Sequence, residues 1–494
     1  MVRRKVRVAV IGAGVSGVLA AAYLKAAGID VEIYERSSEA GGVWVFDERR
    51  PIEPLYPAIR ASRGEDYPSH TSPELEHAPP SPCYFGLKNN VATRLMRTKL
   101  SAWPPGTEDY VSHHMLKDYI QTIAKQEGLD QFTNYGARVT DLRKTNGLWD
   151  LTYIKLRRDS VIGTRPEEKK QTGFDSVIVA SGHYHAPRVP DILGLKESKR
   201  RWPDRIWHSK GYRSPKQFQG KNVLLVGAGT SSIDIARELG PVANKVYQSS
   251  RDGFFEFPAT MLPANGIRVC EIAACQISSE DLDDDQHEPL MDTENLPLTI
   301  LLVDGRKICN IHTILLCTGY HITLPFLQQY HDDDIPAAKA NETVLVTDGT
   351  QLHNLHKDIF YIPDPSLIFI GVPYFSATFT LFEYQAIAVA AVLSEKATLP
   401  PKEAMRQEYQ ERLQKKGSGK RFHSIRGEEV QYVAELLEWI NNDMVQRGFE
   451  EVQGHSAEWH EAKKEQIALM QKLFAGNGDV ANGSVELSVL NCTD

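Results

Sequence analysis

Two glycine-rich turns carry the first readable chemistry. Gly12-Ala13-Gly14-Val15-Ser16-Gly17 follows the apolar run Val8–Ile11, and Gly227-Ala228-Gly229-Thr230-Ser231-Ser232 follows the apolar run Val223–Val226. In a strand-turn-helix unit the first glycine permits the tight turn and the second lets backbone amides approach a pyrophosphate. The third position must be small so that the helix can pack on the strand. The pyrophosphate then lies at the helix N-terminus, where free N–H groups and the helix dipole favour an anion. In each copy a second apolar run ends 23 residues after the first glycine, on Glu35-Arg36 in one and on Ser250-Arg251 in the other. A carboxylate at that place accepts hydrogen bonds from a free ribose hydroxyl, whereas a hydroxyl and a guanidinium suit a 2′-phosphate that a carboxylate would repel. The first site is therefore expected to take FAD through Gly12, Gly14, Ser16, Gly17, Glu35 and Arg36. The second is expected to take NADPH through Gly227, Gly229, Thr230, Ser231, Ser232 and Arg251, with Thr230 in reach of the nicotinamide side. Two different dinucleotides in one chain imply a redox enzyme.

The elements that must hold these turns give an α/β chain with two Rossmann-like dinucleotide-binding domains and a helical C-terminal extension. The FAD domain is expected to be discontinuous, formed by residues 1–187 and 308–494 with the extension from about 396, and interrupted by an NADPH domain over 188–307. Pro-rich linkers at Pro187–Pro190 and Pro203–Pro215 bound the insertion. Two buried strands, Ser176–Ala180 and Ile311–Leu316, end in Ser181-Gly182-His183 and Cys317-Thr318-Gly319-Tyr320, small-residue turns suited to interdomain crossovers close to a cofactor. Helices are expected at Ala92–Met96, Ser112–Gly128, Leu381–Leu393 and Glu428–Asn442, and a hairpin at Arg138-Val139 with Trp149–Arg157, followed by a polar loop over Gly163–Gln171. The charge runs Lys196–Arg201 and Asp281–Asp285 read as solvated loops, and the last twenty residues, rich in Gly, Asn and Ser, as disordered.

The chain has 494 residues, 41% hydrophobic and 24% charged, with a net charge of −8, which suits an ordinary globular protein and argues against nucleic acid as a partner. Its six cysteines show no CxxC pair and no metal-ligand spacing, so no metal is expected and a disulfide-reductase reading is disfavoured. Met1–Lys5 leads straight into the first strand without a signal peptide, no apolar stretch reaches the length of a membrane span, and a cytoplasmic location is expected.

Further segments resemble the class B flavin-dependent monooxygenases, in particular the flavin-containing monooxygenase family in a form like its soluble fungal members. Gly41-Gly42-Val43-Trp44 is similar to the family's GGxW. Ser81-Pro82-Cys83-Tyr84 with Leu87–Met96 resembles its SPxY…LxTNLPxxLM segment, Tyr110-Val111-Ser112-His113 its FPSH, Thr318-Gly319-Tyr320 its ATGY, and Glu383-Tyr384-Gln385-Ala386 a late helix near the flavin. The family fingerprint FxGxxxHxxxY reads here as Trp202 to Tyr212, keeping His208 and Tyr212 and carrying Trp202 and Asp204 where the family has Phe and Gly. The resemblance spans roughly residues 6–395. It implies FAD contacts from Gly42, Val43, Trp44, His113, Val139 (beside adenine) and Gln385, and a role for His208, Tyr212, Thr318 and Tyr320 on the NADPH side. Asn90 falls on the family's active-site Asn and is expected to orient NADP+ and the oxygenating flavin. The implied reaction runs from NADPH through an FAD C4a-hydroperoxide to a soft nucleophilic nitrogen or sulfur, with Baeyer–Villiger attack on a ketone as the alternative, from which Tyr212 leans away. The expected partners are a small-molecule substrate and O2, with no membrane anchor, and a homodimer is left open. A place in specialised metabolism is implied by the fungal-like form.

Overall fold

The computed structural model describes residues 4–67, 72–159, 163–277 and 290–475. The acidic run Asp281–Asp285 and all but the first of the last twenty residues lie outside them. Each glycine-rich turn leaves the centre of its own sheet, the first parallel except at one edge and the second parallel throughout. In the first, Arg7–Ile11 pairs in parallel with Asp30–Glu35 on one side and Ser176–Val179 on the other. Thr133–Tyr135 extends one edge, and Leu367–Phe369, Phe360–Tyr361 and Leu355–His356 extend the other, giving seven strands. Strands buried on both faces need apolar residues throughout, and Val8, Ala9 and Val10 are fully buried. The helix Val15–Ala26 covers one face together with Thr378–Leu393 and His113–Gln126.

The second sheet has five strands in the order Gly266–Val269, Lys245–Ser249, Asn222–Val226, Thr313–Leu316, Ile206–His208. Thr313–Leu316 pairs in parallel with both Asn222–Val226 and Ile206–His208. The expected boundary at 307/308 therefore cuts a strand from its own sheet, and this unit runs to Leu316. The two crossings of the chain between the sheets, Ala186–Pro187 and Tyr320–His321, pair antiparallel with each other.

Three local expectations change. The polar stretch after the hairpin is a third strand, Gly163–Phe174, antiparallel to Leu148–Asp159. Its sequence lacks apolar alternation because it is an edge strand with mostly exposed residues, and its partner supplies the backbone hydrogen bonds. Ala92–Met96 forms only a 3-10 turn, Thr93–Leu95, because Thr93 turns both its amide and its hydroxyl to the carbonyls of Asp109 and Glu108. Lys196–Arg201 belongs to the helix Leu195–Arg201, and Lys199 turns inward to Glu53 at 3.5 Å.

Beyond Lys402–Lys416, the helices Glu429–Gln446 and Ala457–Ala475 pack back on the first unit. Glu429 is buried and bridges two elements: Oε1 accepts from the Ala377 amide at 2.7 Å and Oε2 from Lys463 Nζ at 2.6 Å. Trp459 donates its indole N–H to the Leu95 carbonyl at 3.1 Å, so the last helix braces the turn Thr93–Leu95. Replacing Glu429 by Ala strands a half-buried ammonium and a buried backbone donor at once, and is expected to cost about 3 kcal/mol. The measurable consequence is a lower apparent melting temperature, with cleavage near residue 457 under limited proteolysis preceding any cleavage of the two sheets.

Candidate functional site

The first turn is built so tightly that side chains are excluded. Gly12 has φ +104° and a Cβ there would come 2.6 Å from the Ala180 carbonyl oxygen, while a Cβ on Gly17 would come 1.9 Å from the Gly12 oxygen. The second turn repeats this: Gly227 has φ +107°, with the Cys317 oxygen 2.6 Å from a built Cβ. Ser232 takes the place of Gly17. It is fully buried, and its hydroxyl accepts from Gln248 Nε2 at 2.7 Å, which explains how a polar residue is tolerated there.

Both helices that leave these turns, Val15–Ala26 and Thr230–Leu239, start without a side-chain cap and without an acidic residue in the first turn. Their N-terminal amides and dipole ends are suited to an anion. At Gly229 nothing lies within 4 Å of a built Cβ, and Gly14 meets only the backbone of Gly42. These cradles fit dinucleotide pyrophosphates.

The two strand ends differ. Glu35 is buried, and its carboxylate is fixed by the amides of Ala13 and Ser37, both at 2.7 Å. Val139 is buried close by, on the strand that joins the end of Asp30–Glu35 through the bond from Ala137 N to the Glu35 carbonyl at 2.8 Å. Arg36 turns away into a buried network: it pairs with Glu65 at 3.2 Å and meets His185 Nδ1 at 2.8 Å, and Arg138 completes it on Glu65 at 3.1 Å. The two guanidiniums hold the Glu65 carboxyl down at about 2 against the effect of its burial. In the second unit the Ser250 hydroxyl donates to Glu256, whose other oxygen accepts from the Arg251 amide at 3.2 Å. The Arg251 side chain is exposed, with Glu271 3.9 Å away.

Gly42-Val43-Trp44 forms a 3-10 turn tied to the first glycine turn by the bond from Gly41 N to the Ala13 carbonyl. A Cβ on Gly42, at φ +57°, would stand 2.9 Å from Gly14 Cα. His113 opens the helix His113–Gln126, fully buried against Phe46, and burial lowers its pKa. Gln385 is buried and engaged at both ends, accepting from Gly371 N at 3.1 Å and donating to the Tyr432 hydroxyl at 2.8 Å. Gly371 presses on Ser16, with Ser16 Oγ 2.5 Å from a built Cβ, so Gln385 reaches the site through the backbone it positions.

Asn89 and Asn90 divide the work of the adjacent segment. Asn89 is buried and saturated: Nδ2 donates to the Val91 and Asp109 carbonyls at 2.7 Å each, and Oδ1 accepts from Val111 N at 2.6 Å. Asn90 is exposed and its carboxamide has no partner among the described residues.

On the other side, His208 is fully buried. Its Nδ1 accepts from Lys210 N at 3.1 Å, so the Nε2 proton points to the Gly319 carbonyl at 3.1 Å, and burial pushes its pKa down to about 3. Tyr320 lies edge-on to His208 at 5.3 Å, and Thr318 bonds the Arg188 carbonyl. Tyr212 is a core residue whose hydroxyl donates to Glu238 at 2.6 Å. His208 and Tyr212 thus act as connectors. Sequence reasoning missed their partners Glu53 (which accepts from His208 N at 3.3 Å), Glu238 and Gly319, and also the Glu65 network. None of these carried a spacing signal, because each pairing spans distant segments or a helix face.

Residues 86–259 match a family model described as flavin-binding monooxygenase-like, and residues 10–74 match one described as an NAD(P)-binding Rossmann-like domain. Flavin-containing monooxygenase ustF2 of Aspergillus flavus is 46% identical, with 95% of this chain and 98% of that protein covered. Flavin-containing monooxygenase iboF of Amanita muscaria is 30% identical over 90% of each. Among solved structures, S-allyl-L-cysteine S-oxygenase from Allium sativum shares the fold at a TM-score of 0.66 and 22% identity, covering 95% of this chain and 93% of that one. No helix among the described residues is long and apolar enough to cross a membrane. The chain belongs to the flavin-containing monooxygenases, and is an NADPH-dependent flavin monooxygenase that binds FAD and NADPH.

Proposed function

We propose that this enzyme oxygenates a soft nucleophilic heteroatom, an amine nitrogen or a sulfur, of a small organic substrate. The observation that carries the reading is the pair Asn89 and Asn90: a carboxamide without a partner among the described residues, held on a segment that its neighbour pins with three hydrogen bonds. An amine or a sulfide brings its own lone pair to the oxygen donor and needs no residue to ionise it. A neutral, well-placed carboxamide that orients the reacting groups is then sufficient. FAD when bound supplies the redox chemistry, accepting hydride from NADPH and activating O2.

In this reading Gly12, Gly14, Ser16 and Gly17 hold the FAD pyrophosphate, Glu35 accepts from its ribose, and Gly42, Val43 and Trp44 wrap its other end. Arg36, His113, Val139 and Gln385 support that site from behind. Gly227, Gly229, Thr230, Ser231 and Ser232 receive the NADPH pyrophosphate, and Arg251 its 2′-phosphate. His208, Tyr212, Thr318 and Tyr320 fix the joint between the units, with the neutral His208 carrying no proton in the reaction. The FAD-binding part comprises the segments either side of an insertion that runs to Leu316. The S-oxygenase of the same fold supports sulfur as one acceptable atom, and the small-residue crossovers support close approach of the two cofactors.

A panel of amines, sulfides and ketones tests the reading by the ratio of product formed to NADPH consumed. Coupled turnover is expected with amines or sulfides, and coupling confined to ketones would replace this function with Baeyer–Villiger oxidation. Asn90→Ala is expected to lower coupled oxygenation by about 10²-fold, the effect of losing one preorganised hydrogen-bonding group. Flavin reduction by NADPH in that variant should stay close to wild type, the missing product appearing as hydrogen peroxide. Arg251→Ala is expected to raise the KM for NADPH by roughly tenfold or more while leaving that for NADH little changed, as follows from losing a charge-assisted phosphate contact.

A further inference from the structure

The chain crosses between the two units through Ala186–Pro187 and Tyr320–His321, a pair of two-residue strands. So narrow a joint leaves the angle between the units soft unless another contact fixes it. A stack of aromatic rings supplies one. In the second unit the loop after Lys245–Ser249 carries Phe254 and Phe255, edge to face at 4.9 Å. In the first unit the chain leaving Leu367–Phe369 carries Tyr374 and Phe375 just before the helix Thr378–Leu393. Phe255 stacks on Phe375, with centroids 5.3 Å apart and planes within 15°, and meets Tyr374 edge-on at 5.9 Å. An offset stack backed by an edge contact is a favoured arrangement of rings.

Two guanidiniums from the segment between Lys402–Lys416 and Glu429–Gln446 close the cluster. Arg426 stands 4.1 Å from the Phe375 centroid and Arg421 4.1 Å from that of Phe254, so each of these rings also carries a cation. Phe375 has φ +61°, a region that bulky residues rarely adopt. Its neighbours hold it there. The Tyr374 amide donates to the His423 carbonyl at 3.2 Å, the Ile425 amide donates to the Tyr374 carbonyl at 3.1 Å, and Ala377 is fixed on Glu429. Each ring is also tied back to a glycine turn. Phe257, two residues beyond Phe255, donates its amide at 2.9 Å to the carbonyl of Ala228, which lies between Gly227 and Gly229. Gly371, four residues before Phe375, presses on Ser16 of the first turn. The stack therefore lies on a continuous path from one pyrophosphate cradle to the other, through Ser16, Gly371, Phe375, Phe255, Phe257 and Ala228.

We propose that Phe255 and Phe375 are positioning residues for hydride transfer: their stack fixes the second glycine turn relative to the first, and so sets where the nicotinamide coenzyme stands relative to the flavin. This rests on the assignment of the two turns to the NADPH and FAD pyrophosphates made above. Each turn places its own cofactor within its own unit. The distance between the two turns belongs to neither, and the rings supply it.

The test reads transfer and binding separately in the FAD-loaded enzyme. Anaerobic stopped-flow reduction by NADPH gives the limiting rate of flavin reduction, and calorimetric titration with NADP+ gives the affinity. Phe255→Leu is expected to lower the limiting rate by about tenfold, within the loss that a misplacement of about 1 Å produces, with NADP+ affinity kept within about twofold of wild type. Phe255→Tyr, which keeps the ring, should recover most of the rate. Because the two rings act through one contact, Phe255→Leu combined with Phe375→Leu should be no slower than the slower single variant. An unchanged limiting rate in Phe255→Leu overturns the proposal, as does a parallel loss of rate and affinity, or losses that multiply in the double variant. Gly229→Glu sets a carboxylate in the open cradle and should abolish NADP+ binding. Binding retained there removes the assignment of the second turn and the proposal with it, whereas binding lost there beside an unchanged rate in Phe255→Leu removes the role of the rings alone.

Discussion

At two places in this molecule a strand turns into a helix with no space for a single additional carbon. The Gly12 carbonyl lies where a Cβ on Gly17 would be, and Gly12 itself lies against Ala180. That contact fixes how closely Val15–Ala26 can approach its sheet, and hence where its first amides point. It also draws the end of Ser176–Val179, and with it the crossing to the second unit, up to the same turn. Gly42, Gly371 and Ser16 are then stacked around it by contact alone. The same constraint at Gly227 and Cys317 aligns the return crossing. Two copies of one steric limit therefore set the mutual position of everything that must meet two cofactors.

The second copy shows how far that limit can be relaxed. Ser232 adds a hydroxymethyl group where the first unit has only hydrogen, so at this one position the second turn does hold an extra carbon, and Gln248, on the neighbouring strand, engages the hydroxyl. The compensation belongs to the local pair, so it leaves the turn geometry intact. Glu35 illustrates the complementary principle. Its carboxylate is anchored by the amides of Ala13 and Ser37 before any ligand arrives, so binding requires no reorganisation of that group.

Much of this was legible in the sequence because glycine spacing and apolar runs are local signals. The two turns, the strand ends at Glu35 and Ser250, the helix at His113 and the hairpin beginning at Arg138 all follow from contiguous residues. What escaped depends on partners far apart along the chain. Gly163–Phe174 reads as a polar loop since an exposed edge strand needs no apolar face. Thr313–Leu316 is apolar in either sheet, and only its pairing with Asn222–Val226 assigns it to the second. Arg36, adjacent to Glu35, is an obvious ribose neighbour by position, yet Glu65 and His185 claim it. Tyr212 keeps a fingerprint residue, and its hydroxyl is spent on Glu238 within the same unit.

The indole bond from Trp459 to the Leu95 carbonyl has a bearing on how such enzymes can diverge. The turn Thr93–Leu95 follows Asn90 by three residues, and it is shored up from a helix that begins near the end of the described chain. Lys463 and Glu429 tie that helix to the start of Thr378–Leu393, whose Thr380 hydroxyl donates to the same Leu95 carbonyl at 3.1 Å. A change in the C-terminal hundred residues is therefore felt at the turn Thr93–Leu95 and the residues beside it. The chain is not modular across this seam. A chimera joining the nucleotide-binding units of one such protein to the tail of another inherits a mismatched brace, and differences in substrate range between relatives are as reasonably sought in the tail as in the pocket.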